Sequence, residues 1–156
     1  AALGAVPIDY TSEDFTERIL EETGEGVDAV FDPIGGENFR RSFQALRPGG
    51  TLVAYGFYSS VMGEGGSVPL DFLRLRLWDM LPNGRSTTFY SIEELHRKQP
   101  DWFYDDLTHL FTLLAEEKLE PVVAEQMPLK EAARAHQLVE EAAVEGKLVL
   151  VTAEDS

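Results

Sequence analysis

Two hydrophobic periods alternate along the chain, and each predicts a different element. Val27, Ala29, Val30 and Phe31 form an apolar run with little polar alternation, as does Thr51 to Tyr55, which suits strands buried on both faces of a parallel sheet. Between them Phe39, Phe43 and Leu46 recur at spacings of four and three, predicting a helix over Glu37 to Ala45 that Pro48-Gly49-Gly50 stops. Upstream, Thr11-Ser12-Glu13-Asp14 offers a cap with acids in the first turn. Phe15 and Ile19 lie four apart and Gly24 or Gly26 closes the run, so Ser12 to Thr23 reads as a helix.

The same signals continue downstream. Ser59 to Gly66 is loop-like, and Leu70, Leu73, Leu77 and Met80 or Leu81 then recur at helical spacing and predict a helix. Pro82-Asn83-Gly84 marks a turn, and Ser86 to Tyr90 a strand. A long helix follows over about Pro100 to Lys118, with Leu107, Leu110, Phe111 and Leu114 on its inner face. The last third predicts a short strand at Pro121 to Ala124, a helix over Lys130 to Ala143, and a final strand at Leu148 to Thr152. The two strands are expected to pair locally or across a dimer, because unpaired edges favour aggregation. Strands alternating with helices define an α/β chain built on a parallel sheet.

Both early strands end at glycines, in Asp32-Pro33-Ile34-Gly35-Gly36 and in Tyr55-Gly56-Phe57. Open parallel sheets bind ligands beyond the carboxyl ends of their strands, so these loops stand where a nucleotide would sit. The glycine-rich G-x-G-x-x-G turn that usually holds a pyrophosphate is missing from the sequence.

Composition narrows the function classes. A net charge of -15 argues against nucleic acid as a partner, since phosphate binding needs clustered Lys and Arg. No apolar run approaches the roughly 20 residues of a membrane span, and no basic segment followed by an apolar stretch opens the chain as a secretory signal would; no membrane partner and a cytoplasmic location are the default expectations. There are no cysteines, so disulfides and thiolate zinc sites are excluded, and His96, His109 and His136 lack metal-ligand spacing. Asp105, Asp106 and His109 read as a solvated helix face, and no nucleophile elbow occurs. No catalytic residue and no metal ligand is assigned.

Several phrases in order carry a resemblance: Ala2-Leu3-Gly4-Ala5 with Ile8-Asp9-Tyr10, Phe31 to Gly36, Leu46-Arg47-Pro48-Gly49-Gly50, Tyr55-Gly56-Phe57, Phe89-Tyr90, Pro128-Leu129 through Ala135-His136, and Gly146 to Leu150. Together they resemble the medium-chain dehydrogenase/reductase superfamily in its zinc-free, quinone oxidoreductase-like branch. The resemblance implies a partial Rossmann-like sheet with flanking helices over 1–120, lacking its glycine-rich first unit. It also implies a strand-helix-strand segment over 121–156 that returns to a catalytic domain. It implies NADPH as cofactor and hydride transfer to a quinone or enone. Tyr10 would lie beside the adenosine 2'-phosphate, Pro33, Ile34 and Gly35 near the adenine ribose and pyrophosphate, and Tyr55, Gly56 and Phe57 against the nicotinamide. Phe89, Tyr90 and Ser91 would meet the carboxamide, and Lys147 would approach the cofactor phosphate. The edge strand near Ser86 to Tyr90 would join a homodimer, and His136 would pack or cap. The chain is then expected to be the C-terminal part of a longer enzyme, inactive by itself.

Two rival readings share some of these features. The phrase Leu46 to Val53 also occurs in S-adenosylmethionine-dependent methyltransferases, which would continue into an antiparallel hairpin instead of a helix and Gly146-Lys147-Leu148. A truncated, dimerising module that binds nothing tightly is the other, since the helix N-terminus that anchors pyrophosphate is not in the sequence.

Overall fold

The computed structural model describes residues 4–59, 67–141 and 143–152; most of the loop expected at Ser59 to Gly66 lies outside them. Two compact units emerge, 1–93 and 94–156, dividing ahead of the boundary after residue 120 that the resemblance implies.

In the first unit β1 (Val27–Asp32), β2 (Leu46–Ala54) and β3 (Ser86–Phe89) form a parallel sheet in the order β1-β2-β3. α1 (Phe15–Thr23) precedes it, α2 (Glu37–Gln44) crosses from β1 to β2, and α3 (Val68–Asp79) from β2 to β3. The predicted stripe on α2 is buried: Phe39, Phe43 and Leu46 pack with Leu52, Ala54 and Leu75 in one core. Trp78 stacks on Phe43 at 4.9 Å between ring centroids, and the Arg85 guanidinium lies 5.6 Å from the Phe43 ring.

Three expectations need correction, and the buried face of α3 is one the sequence left open. The α1 cap is Asp14, whose carboxylate accepts from the amides of Thr16 and Glu17, because Thr11 and Ser12 are already bound to Asp9 in a turn of their own. β2 begins at Leu46, ahead of the expected Thr51; Val27 pairs with Leu46 and Ala29 with Thr51, and a register shift between them takes up Pro48-Gly49-Gly50 within the strand. The α3 stripe Leu70, Leu73 and Leu77 faces outward, each more than half exposed. α3 is apolar around much of its circumference, and the inward face is fixed instead by Asp71 and Leu75: Asp71 accepts the Gly36 amide, and the Leu75 carbonyl accepts the Thr87 hydroxyl.

The third correction concerns the sheet itself, which the described residues of the first unit cover on one face only. Val30, Leu52 and Ala54 turn toward the helices, whereas Phe31 is 67% exposed on the other side. Thr51, Val53 and Tyr55 follow the same open side, and the Thr51 and Ser86 hydroxyls meet across it at 2.8 Å.

The second unit holds α4 (Ile92–Lys98, beginning just before the division), α5 (Pro100–Ala115), β4 (Val123–Pro128), a 3-10 turn at Leu129–Glu131, α6 (Ala132–Glu140) and β5 (Lys147–Val151). α4 has no counterpart in the sequence reading. β4 and β5 pair locally, the first of the two expected arrangements, and they run parallel; β4 extends farther than Ala124. Among the residues of α5 none is buried, and of its expected inner face Leu107 is half-buried while Leu110, Phe111 and Leu114 are exposed.

Candidate functional site

The carboxyl ends of β1, β2 and β3 lie side by side, as Asp32 pairs with Ala54 and Ala54 with Phe89. The residue that follows each strand is tied to its neighbour: the Tyr55 amide donates to the Asp32 carbonyl at 3.0 Å and the Tyr90 amide to the Ala54 carbonyl at 2.8 Å. This stagger turns Tyr55 and Tyr90 to the open side of the sheet, where with Phe31 and Val53 they line an open, almost wholly apolar pocket of about 370 Å³.

The aromatic residues expected at the site therefore separate into two groups. Phe57 and Phe89 belong to the helix side, stacked at 5.2 Å, with Phe72 4.9 Å from each and Phe39 5.8 Å from Phe57. Tyr55 and Tyr90 share the pocket instead. The cause is the two-residue period of the strand: Tyr55 continues the open side of Val53, and Phe89 the helix side of its register partner Ala54. Ser91 follows, half-buried. Tyr10 is exposed on the Asp9 to Ser12 turn and does not line the pocket. Lys147 opens β5 in the second unit, with its backbone amide donating to the Val122 carbonyl. His136 is exposed on α6.

The loop after β1 is built around a buried carboxylate. Asp32 is 1% exposed; its Oδ1 accepts the amides of Ile34 (2.7 Å) and Gly35 (3.2 Å), and its Oδ2 accepts from Asn38 Nδ2 (2.9 Å) and Ser42 Oγ (2.6 Å). Asn38 and Ser42 come from α2, so one side chain joins strand end, loop and helix. The loop after β2 closes against it: Tyr58 donates its amide to the Pro33 carbonyl, and Ser59 donates amide and hydroxyl to that of Ile34. Gly56 allows this approach, since a Cβ there would lie 2.4 Å from the Pro33 carbonyl oxygen. The close contact that requires Gly56 is thus with the protein's own backbone.

Sequence reading missed Asp32, Asp71, Phe31 and Val53. For Asp32 a signal existed, a strand-terminal Asp with Asn and Ser six and ten residues on, one helical turn apart. For Asp71 the partner is 35 residues away in sequence, and no local pattern marks it.

Among the described residues no group of three His, Cys, Asp or Glu is arranged to hold a metal, and no helix is long and apolar enough to cross a membrane.

The sequence and the fold match known proteins. The sequence model of the zinc-binding dehydrogenase family matches residues 3–150. A 2-haloacrylate reductase from a Burkholderia species is 32% identical over 154 residues, 92% of this chain and 41% of the relative. Quinone oxidoreductase 1 of Escherichia coli is 32% identical over 151 residues, again 92% of this chain and 42% of the relative. The crystal structure of Escherichia coli quinone oxidoreductase complexed with NADPH aligns with a TM-score of 0.71 at 27% identity, over 91% of this chain and 42% of that one. A quinone oxidoreductase of Pseudomonas syringae gives 0.70 at 28% identity, over 96% and 44%. The chain thus spans 41–44% of the length of these proteins. A family match over residues 3–150, with relatives 32% identical over 92% of the chain, places the chain in the zinc-binding dehydrogenase family, among the quinone oxidoreductase-like members of the medium-chain dehydrogenase/reductase superfamily.

Proposed function

We propose that the chain forms part of the cofactor-binding half of an NADPH-dependent oxidoreductase, one that transfers hydride to a quinone, an enone or another activated double bond. The observation that carries this reading is the pocket at the carboxyl edge of the sheet, where Tyr55 and Tyr90 face Phe31 and Val53. Its flat, apolar lining suits one face of a nicotinamide ring, and a ring held there would have its orientation set by two aromatic side chains. When bound, the cofactor supplies the hydride chemistry; the chain's own residues bind and orient it.

The fit to the rest of the cofactor is uneven. The amides of Ile34 and Gly35 are engaged by Asp32, so this loop offers the pyrophosphate no donor from those positions. Phosphate contacts belong to residues outside it. Tyr10 and Lys147 stand as the proposed contacts for the phosphate end, Pro33, Ile34 and Gly35 as a neutral wall near the ribose, and Gly56, Phe57, Phe89 and Ser91 as the frame of the ring pocket. Homodimerisation at β3 accords with its place at the sheet edge. Residues 121–156 would pass toward the catalytic portion of the longer enzyme, where substrate and any acid group are met.

NADPH titration followed by tryptophan fluorescence, with the protein expressed from its own gene, tests this. Saturable quenching that Tyr55→Ala and Tyr90→Ala weaken about tenfold each, roughly 1.4 kcal/mol, is the expected result. Unchanged affinity in both variants removes the pocket from the reading, and no NADPH binding at all removes the reading itself.

A further inference from the structure

Asp71 is 1% exposed, on the first turn of α3, and nothing in the sequence pattern assigns it a role. Its Oδ2 accepts the Gly36 amide at 3.1 Å, and its Oδ1 lies 3.6 Å from Arg74 Nη1, which itself donates to the Gly36 carbonyl at 3.2 Å. Gly36 sits at φ 59° and ψ -130°, a conformation closed to residues with a side chain, and both its amide and its carbonyl are held from α3. Together with Asp32, this places the amides of Ile34, Gly35 and Gly36 on two buried carboxylates.

Three consecutive amides converging at a strand-to-helix loop are the arrangement that ordinarily receives an anion. Here the anions are internal. The loop consequently meets a ligand through carbon, with Ile34 exposed, and its shape is set before any ligand arrives.

We propose that Asp71, with Arg74, is a positioning residue for cofactor binding: it locks Gly36 and so fixes the Pro33 to Gly36 wall, and through the Pro33 contact of Gly56 it fixes the adjoining base of Tyr55. This rests on the NADPH reading above. Asp32 does the same work for Ile34 and Gly35 from the strand end, with ties to Asn38 and Ser42 on α2, whereas Asp71 acts on Gly36 from α3.

The test compares Asp71→Ala and Asp71→Asn with the wild type in the protein expressed from its own gene. Three quantities are read: the NADPH dissociation constant by fluorescence, backbone amide exchange at Gly36 by NMR, and the melting temperature. Asp71→Ala is expected to speed Gly36 exchange and to weaken NADPH about tenfold, while Asp71→Asn, which keeps an acceptor for the Gly36 amide, restores most of both. Arg74→Ala, which leaves Asp71 in place, is the second variant should Asp71→Ala fail to fold, and is expected to weaken NADPH in the same direction by a smaller factor. If wild type binds NADPH and the loosened variants bind it equally well, the positioning role is overturned while the NADPH reading stands. If Gly36 exchange does not change, the lock itself is overturned. If wild type does not bind NADPH, the NADPH reading falls first and the positioning role falls with it.

Discussion

The two units of this chain use the same vocabulary of parallel strands and crossing helices and reach very different interiors. Residues 1–93 bury Phe39, Leu46, Leu52 and Ala54 almost completely and add three buried polar residues, Asp32, Ser42 and Asp71, bound to partners. Residues 94–156 bury Met127 and Ala135, while Trp102, Leu110 and Phe111 stand exposed. The contrast shows that pairing strands is not enough: a two-stranded parallel ladder with one crossover has little area to remove from water, whereas a third strand lets two helices share one core. The first unit holds its strand-end loops on a core of its own. The second is expected to be the weaker partner in isolation, with lower amide protection in β4 and β5 than in β2.

Mutations that probe this difference can be ranked by expected effect. The largest is Phe39→Ala, which empties a fully buried ring site and should cost about 3–5 kcal/mol in chemical denaturation. Next is Gly56→Ala, where the new methyl must push the Pro33 carbonyl away; a loss of about 1–3 kcal/mol is expected, with the Tyr58 amide becoming faster to exchange. At the small end, Phe111→Ser on α5 should change stability by no more than about 0.5 kcal/mol, because that ring is 61% exposed. A Phe111→Ser loss as large as that of Phe39→Ala would break the comparison between the units.

A pH experiment sharpens the picture within the first unit. Hydrogen bonding from the Thr16 amide, ahead of the Glu17 amide and the charge of Arg41, holds the Asp14 carboxyl below its ordinary value. A carboxyl lowered on folding stabilises the fold above its unfolded value, and that contribution disappears as pH falls through the folded one. Melting temperatures measured from neutral to acidic pH should therefore fall less steeply in Asp14→Ala than in wild type, starting from a lower neutral value. Equal slopes would show that the cap contributes nothing through its charge.

Much of the first unit was legible in the sequence because its decisive contacts are local. The α2 stripe Phe39-Phe43-Leu46 and the strand-end glycines are set within a few residues, and the period of two fixes where a side chain points once the strand is known. What escaped was decided at a distance. The outward turn of Leu70, Leu73 and Leu77 depends on Asp71 reaching Gly36, and no pattern within α3 distinguishes its two apolar stripes. The open face of the sheet was unreadable for a related reason: Phe31 and Val53 have the character of residues covered on that side, and nothing among the described residues of the first unit covers Phe31. At the candidate site, Tyr55 and Tyr90 were found by resemblance, but separating them from Phe57 and Phe89 required the register of β2 with β3.

The stacking of Trp78 on Phe43 has an optical consequence. Each unit contains one of the two tryptophans: Trp78 is partly buried against the core of the first, and Trp102 is exposed in the second. The stacked pair places Trp78 in a fixed, asymmetric environment, so near-ultraviolet dichroism should report mainly the first unit, while the longer-wavelength emission belongs to Trp102. The halves of the molecule therefore arrive already labelled in different colours, and their unfolding can be followed separately in a single unmodified sample.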